Sequence, residues 1–238
     1  MSLEWLTPET IQLLWQGIIL TVGLTFFTSI FSLVVGILMG TLRLAGSRVW
    51  RGVAAIYVAI HRNSPALVLV IFWAFAFPNL FPLEQRQFLF FNNAFMEGIS
   101  QLTGLSLPYY ALAATLALTL NTSAYIAELF RAGVGSIAQE HLDAARSLGA
   151  SPRALFWHIL LPQGVRVAFP AISTRLIHNM KNTALAAFVS VPEFFHSTQT
   201  AISRTFRAIE FLLLAAAVYL ALSFLFAALL RWIDEQLN

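Results

Sequence analysis

The stretch Asp143-Ala144-Ala145-Arg146-Ser147-Leu148-Gly149, followed after nine intervening residues by Ile159-Leu160-Leu161-Pro162, decides how this chain is read. It is polar and helix-forming, and it lies between long apolar runs. Glu140 to Arg146 reads as the heart of a short helix. With its ends, from Ala138 to Leu148, that helix makes about three turns, or about 15 Å at 1.5 Å per residue. Gly149 can close it, because glycine accepts the left-handed conformation of a helix end. Ser151-Pro152 then starts a new helix, serine capping and proline filling the first turn. A membrane chain has little use for such a polar block unless something soluble grips it.

The composition makes this a membrane chain. Of 238 residues, 58% are hydrophobic and 11% charged, against about 25% charged in a soluble domain. A mean hydropathy of +0.75 and 21 phenylalanines agree. The net charge of +3 is no sign of nucleic-acid binding, since the 14 Lys and Arg residues lie mostly beside the apolar runs, where topology signals belong. The absence of cysteine excludes disulfides and thiolate metal sites. Glu4 and Glu9 stand where a cleavable signal would be basic, so the first apolar run is expected to stay in the membrane.

A spanning helix needs about 20 mostly apolar residues. Five candidates emerge, at about 17–42, 52–77, 109–130, 165–189 and 211–230. The second is interrupted by His61-Arg62-Asn63-Ser64-Pro65, and Pro170 either kinks the fourth or marks its start. Arg43, Arg48 and Arg51 mark the first connection as cytoplasmic, as do Arg131, Arg146, Arg153 and Arg166 for the third and Arg231 for the tail. No Lys or Arg precedes Arg43, and the connection from Pro78 to Pro108 holds only Arg86. Arg204 and Arg207, in the loop from Ser190 to Glu210, dilute the bias. The expected organisation is an N-terminal segment 1–14 outside, a membrane domain 15–232 and a cytoplasmic tail 233–238. The fold class is all-α and polytopic, with five transmembrane helices, the N-terminus out, the C-terminus in, and the polar helix in the cytoplasm.

The spacing of Asp143-Ala144-Ala145, Gly149 and Ile159-Leu160-Leu161-Pro162 resembles the Glu-Ala-Ala motif of permease subunits of ATP-binding-cassette (ABC) importers, with Asp143 in place of the glutamate. Leu120 to Arg131, running Leu-Asn-Thr-Ser-Ala-Tyr-Ile-Ala-Glu-Leu-Phe-Arg, is similar to the third-helix signature of the histidine/glutamine type of polar amino acid permease. Arg62-Asn63-Ser64-Pro65, Lys181-Asn182-Thr183-Ala184-Leu185 and Val191-Pro192-Glu193 resemble that family's Arg-Gly-Thr-Pro, Lys-Asp-Thr-Ser-Leu and Val-Pro-Glu. The likeness covers roughly residues 15 to 232. It implies the type I ABC importer permease fold in a bacterial inner membrane. It also implies partners: two ABC ATPase subunits, an extracytoplasmic amino acid-binding protein, and a second permease subunit, homologous or identical. The polar helix becomes a coupling helix docking in an ATPase groove through Glu140, Asp143, Ala144, Ala145, Arg146 and Gly149.

The fourth span carries Arg175, His178, Asn179 and Asn182 at i, i+3, i+4 and i+7, one face of a helix. Such a stripe is costly against lipid and belongs on a subunit interface or an aqueous cavity. The resemblance puts this helix beside the substrate path, where Asn182 departs from the family's usual Asp. Arg175 can hold a carboxylate bidentately, or brace a partner subunit. The expected substrate contacts are Arg175, His178 and Asn182, joined by Asn121 and Thr122 of the third span. A face with no carboxylate favours acidic or neutral polar amino acids, with a basic amino acid, an opine or another small solute as the alternative. Lys181 lies off this face. Glu128 and Arg131, at i,i+3, are read as a structural pair near the interface.

Other classes lack their residues. The histidines at 61, 141, 158, 178 and 196 form no His-Glu-x-x-His run, and no Gly-x-Ser-x-Gly elbow occurs. No enzyme, metal or cofactor is expected in this chain. A phosphate-binding Gly-x-x-x-x-Gly-Lys-Ser/Thr loop is also missing, so ATP hydrolysis falls to a separate chain. An ATP-independent pore would have no use for the polar helix.

Overall fold

The computed structural model describes residues 6–44, 46–91, 98 and 109–237, and among them every regular element is helical. α1 (Pro8–Leu44) starts nine residues before the apolar run. Thr7 caps it, its Oγ1 accepting from the Thr10 N–H at 3.3 Å, with Pro8 in the first turn. Its threonines donate to carbonyls four residues back, Thr25 to Thr21 and Thr28 to Leu24, which lets hydroxyls lie buried in an apolar helix.

α2 (Arg48–Asn63) stops at Ser64-Pro65, and α3 (Ala66–Ile71) runs on as a π turn over Phe72–Ala76. Proline lacks an N–H and forces the residue before it out of the helical region, so the interruption read in the sequence is a true break. A short piece, α4 (Leu83–Arg86), follows. Most of the aromatic-rich connection that the sequence places outside, 92–97 and 99–108, lies beyond the described residues.

α5 (Tyr109–Gly135) is the third expected span, α6 (Gln139–Ser147) the polar helix, and α7 (Pro152–Leu155) the restart. α8 (Leu161–Asn182) contains Pro170 rather than starting there, and ends in a 3-10 stretch, Thr183–Val189. α10 (Ala208–Leu237) carries the last span well into the expected tail. By length and apolarity, α1, Pro152–Val189 and α10 each qualify as spans, and the broken pair α2–α3 makes a fourth. α5, with 27 residues, has the length of a fifth at about 40 Å. Asn121, Thr122, Ser123, Glu128 and Arg131 make it more polar than α1 and α10.

The loop expected from Ser190 to Glu210 contains a helix, α9 (Phe194–Thr205). Its buried face is Phe194, Ser197, Thr198 and Ala201, spaced i, i+3, i+4, i+7. Two of those four are polar, which hides the period from a hydropathy reading.

The chain groups into two compact units, described separately. The first comprises Met1–Ser29, Ser64–Asn121 and Asn179–Ser223; the second comprises Ile30–Asn63, Thr122–His178 and Phe224–Asn238. Leu24, Val70, Ala114, Leu118 and Val189 centre the first, with a smaller cluster of Leu14, Phe194, Phe211 and Ala215. Ile126, Phe169, Ile172, Leu176 and Leu230 centre the second. There α5 and α8 cross backbone to backbone: a Cβ on Gly133 would lie 2.8 Å from the Gly164 carbonyl.

Candidate functional site

In the second unit, α6 turns Glu140, His141, Asp143, Ala144 and Arg146 to solvent and buries Leu142. Asp143 organises its surface. Arg146 Nη1 donates to Asp143 Oδ1 at 2.7 Å, Gln139 Nε2 to the same oxygen at 3.1 Å, and Ser147 Oγ to the Asp143 carbonyl at 2.9 Å. An exposed pair of this kind adds at most about 1 kcal/mol; its effect is to fix the side chains that a partner would meet. The helix ends as the sequence predicts. Gly149 sits at φ +84°. Its N–H bonds the Arg146 carbonyl at 2.9 Å, and the Ala150 N–H reaches back to Ala145 at 3.0 Å, the paired bonds of a glycine-closed terminus. Ser151 Oγ accepts from the Ala154 N–H at 3.2 Å, with Pro152 next. Leu148, 90% exposed, stands at the turn.

The polar stripe of α8 keeps its helical spacing, but its members meet different surroundings. Neighbouring residues on a helix point about 100° apart, so His178 and Asn179 lie on opposite edges of the stripe. His178 is exposed. Asn179, of the first unit, is fully buried and donates from Nδ2 to Thr28 Oγ1 at 2.7 Å; it ties α8 to α1. Asn182, also of the first unit, is half-buried in the last position of α8. In the second unit the Arg175 guanidinium lies over the Tyr125 ring, 3.8 Å from its centroid. The Arg62 guanidinium stands 5.8 Å from the same ring.

The third-span residues serve the break in the second span. Ending α2 leaves carbonyls without helical partners. In the first unit Asn121 Nδ2 donates to the Ser64 carbonyl at 3.4 Å. In the second, Tyr125 Oη donates to the Arg62 carbonyl at 3.1 Å, and Tyr57 Oη and Ser123 Oγ are 2.6 Å apart. Thr122 is fully buried. The expected substrate residues thus divide: Asn121 and Asn182 belong to one unit, and Thr122, Arg175 and His178 to the other.

Residues 32–238 match the family model described as the binding-protein-dependent transport system inner membrane component. The chain belongs to this family. It is a membrane transport component rather than an enzyme. It is 31% identical over 221 residues to a probable glutamine ABC transporter permease of Bacillus subtilis, covering 92% of this chain and 90% of that one. It is 29% identical over 222 residues to a nopaline transport system permease of Agrobacterium fabrum, covering 92% and 85%. With a histidine/lysine/arginine/ornithine transport system permease of Salmonella typhimurium it shares 29% over 235 residues, covering 96% of each. Among solved structures, an amino acid ABC transporter with histidines superposes with a TM-score of 0.77 at 23% identity, over 99% of this chain and 100% of that one. An inward-facing methionine ABC transporter gives 0.73 at 20%, over 98% and 100%. These likenesses establish the type I importer permease fold expected from the Glu-Ala-Ala spacing.

Within this membrane component, one buried and one half-buried carboxylate make contacts that the sequence alone did not show. Glu193 is fully buried. Its Oε2 accepts from the Phe195 N–H at 2.9 Å, Tyr219 Oη at 2.8 Å and Thr21 Oγ1 at 3.2 Å, and its Oε1 accepts from the His196 N–H at 2.8 Å. One carboxylate thereby caps α9 and ties it to α1 and α10. Burial pushes its carboxyl pKa up, against the pull of those donors. The Val-Pro-Glu run was the available signal, but glutamate is not among the favoured capping residues. Glu128 pairs with Arg131 at 2.9 Å as expected and also with Arg43 at 3.0 Å; the second partner comes from α1, far away in sequence.

Proposed function

We propose that this chain is the permease subunit of an ATP-driven importer of polar amino acids, preferring acidic or neutral ones: glutamate, aspartate, glutamine or asparagine. The observation that carries the preference is the charge of α8, which holds Arg166, Arg175, His178 and Lys181 and no Asp or Glu between Leu161 and Asn182. An ammonium or guanidinium side chain on the substrate would find no counter-charge along this helix. A carboxylate would find Arg175. Stacking on Tyr125 uses the face of that guanidinium, whereas its N–H donors lie in its plane, where they grip carboxylates in pairs. His178, Asn182, Asn121 and Thr122 complete the proposed substrate set.

Transport would run by alternating access. α6 docks in a groove of a separate ATPase through Glu140, Asp143, Ala144, Ala145, Arg146 and Gly149. ATP-driven closure of the ATPases would then move this rigid, glycine-ended peg and the spans joined to it. An extracytoplasmic binding protein delivers the amino acid, and a second permease subunit completes the pathway, with the N-terminus outside and the C-terminus inside.

A second reading has specific support. Relatives named for nopaline and for histidine, lysine, arginine and ornithine make an opine or a basic amino acid the main competitor, with carboxylates supplied by a different partner permease. Competition for labelled glutamate uptake in vesicles holding the whole transporter separates the two. Glutamine or aspartate should compete and arginine should not, and Arg175→Ala should weaken glutamate uptake at least tenfold. Strong competition by arginine, with Arg175→Ala neutral, would establish the second reading.

A further inference from the structure

We propose that an open trough beside the end of α8 binds an anionic phospholipid, its headgroup on Lys181. The first unit holds a cavity of about 380 Å³ whose lining includes Lys181, Ala184, Phe195, Leu212, Ala216 and Tyr219. Apart from the Lys181 ammonium and the Tyr219 hydroxyl, which is given to Glu193, the lining is apolar. Alanines at 184 and 216 leave room that larger side chains would fill.

Depth and charge select the occupant. The fourth span is expected to begin at about residue 165, and Lys181 stands 16 residues further along α8, about 24 Å at 1.5 Å per residue. A hydrocarbon core is about 30 Å thick, so the long lysine stem carries the ammonium to the far headgroup level. Lys181 is the chain's only lysine and is exposed. No carboxylate lines the trough among the described residues. Glu193 of the same unit is buried among its own donors, and Glu210 bonds Arg207 at 3.2 Å. The ammonium therefore calls for an anion from outside the chain, and the apolar trough beside it calls for an acyl chain. A phospholipid with an anionic headgroup supplies both, as basic pockets between membrane helices do for such lipids elsewhere. A soluble anion would leave the trough empty.

The single lysine makes the test direct. The whole transporter is reconstituted in phosphatidylcholine vesicles with or without phosphatidylglycerol, and acetylation of Lys181 by an amine-reactive ester is followed by peptide mass spectrometry. Phosphatidylglycerol should slow the reaction about fivefold, the factor one lysine gains near anionic lipid. Ala216→Phe or Leu212→Trp, each filling the trough from an exposed position, should restore the phosphatidylcholine rate. Equal rates in the two vesicle types would overturn the proposal and would mean that another protein subunit, or nothing, covers the trough. Protection that persists in the filled variants would overturn it too, because the general field of the surface would then be the cause. Native mass spectrometry of the purified transporter gives an independent reading. A phosphatidylglycerol adduct should be present in the wild type and lost in Lys181→Gln; an adduct that persists would count against the site.

Discussion

The Arg175 guanidinium stacks on the Tyr125 ring, 3.8 Å from its centroid, while the Tyr125 hydroxyl donates to the Arg62 carbonyl at 3.1 Å. One tyrosine thus positions the arginine proposed to meet substrate and also satisfies the end of the broken second span. These two tasks separate by mutation. Tyr125→Phe keeps the ring and should cost only the hydrogen bond, about 1 kcal/mol of stability, with little change in glutamate affinity. Tyr125→Leu removes the ring as well and should cost a further 1–2 kcal/mol or so while weakening uptake. Thermal unfolding of the purified transporter and uptake kinetics measure the two effects. Equal behaviour of the two variants would show that the stacking is incidental.

Glu193 accepts four hydrogen bonds. Glu193→Ala should destabilise by at least about 2 kcal/mol, combining a lost cap with buried donors left unsatisfied, and should loosen α9 from α10. Glu193→Gln should cost less, since an amide still accepts.

The same residue predicts a pH dependence. Burial raises the Glu193 pKa, so the folded chain binds this proton more tightly than the unfolded chain. The resulting stabilisation is complete below the ordinary carboxylate pKa and is lost as pH rises through the raised value. The melting temperature of the wild type, measured relative to Glu193→Gln, should therefore fall across that window. A constant difference would mean that the four donors cancel the effect of burial.

Glu128 holds arginines from two helices, and its side chain is 16% exposed. Glu128→Gln should cost about 2 kcal/mol, between the 0–1 of a surface pair and the 3–5 of a broken buried pair. A double-mutant cycle with Arg43→Gln isolates the contact between α1 and α5; a coupling energy of zero would show that Arg131 alone matters.

Gly149 tests the coupling role proposed for α6. A side chain in its left-handed conformation costs about 1–2 kcal/mol, and the site is exposed, so Gly149→Asp should still insert and assemble. Transport and substrate-stimulated ATPase activity of the reconstituted complex should be abolished. Full transport by Gly149→Asp would rule out α6 as the coupling element.

Much of this protein was legible in one dimension because the signals were local. Gly149 and Ser151-Pro152 specify a helix end and a helix start through their own backbone preferences, and α6 and α7 form where they predict. Pro65 breaks the second span because proline cannot continue a helix, whatever surrounds it. Helix α9 was missed because Ser197 and Thr198 occupy buried positions that a hydropathy pattern reserves for apolar residues. The polar stripe of α8 was correct as a periodicity, yet periodicity is silent about what each edge of a face meets.

The sequence by itself determined that the chain is a helical membrane protein with a polar helix between its apolar runs, since apolar run length and terminus chemistry act over a few residues, and its resemblance to amino acid permeases pointed to transport. Only the tertiary structure decided what the buried polar groups do. Asn179 was given to Thr28 of α1, Asn121 to the carbonyl of Ser64, Arg175 to Tyr125, and Glu193 to donors from three helices. The physical reason is that a polar atom out of water must take whichever partner the packing brings within about 3 Å, and no local rule names a partner up to 172 residues away.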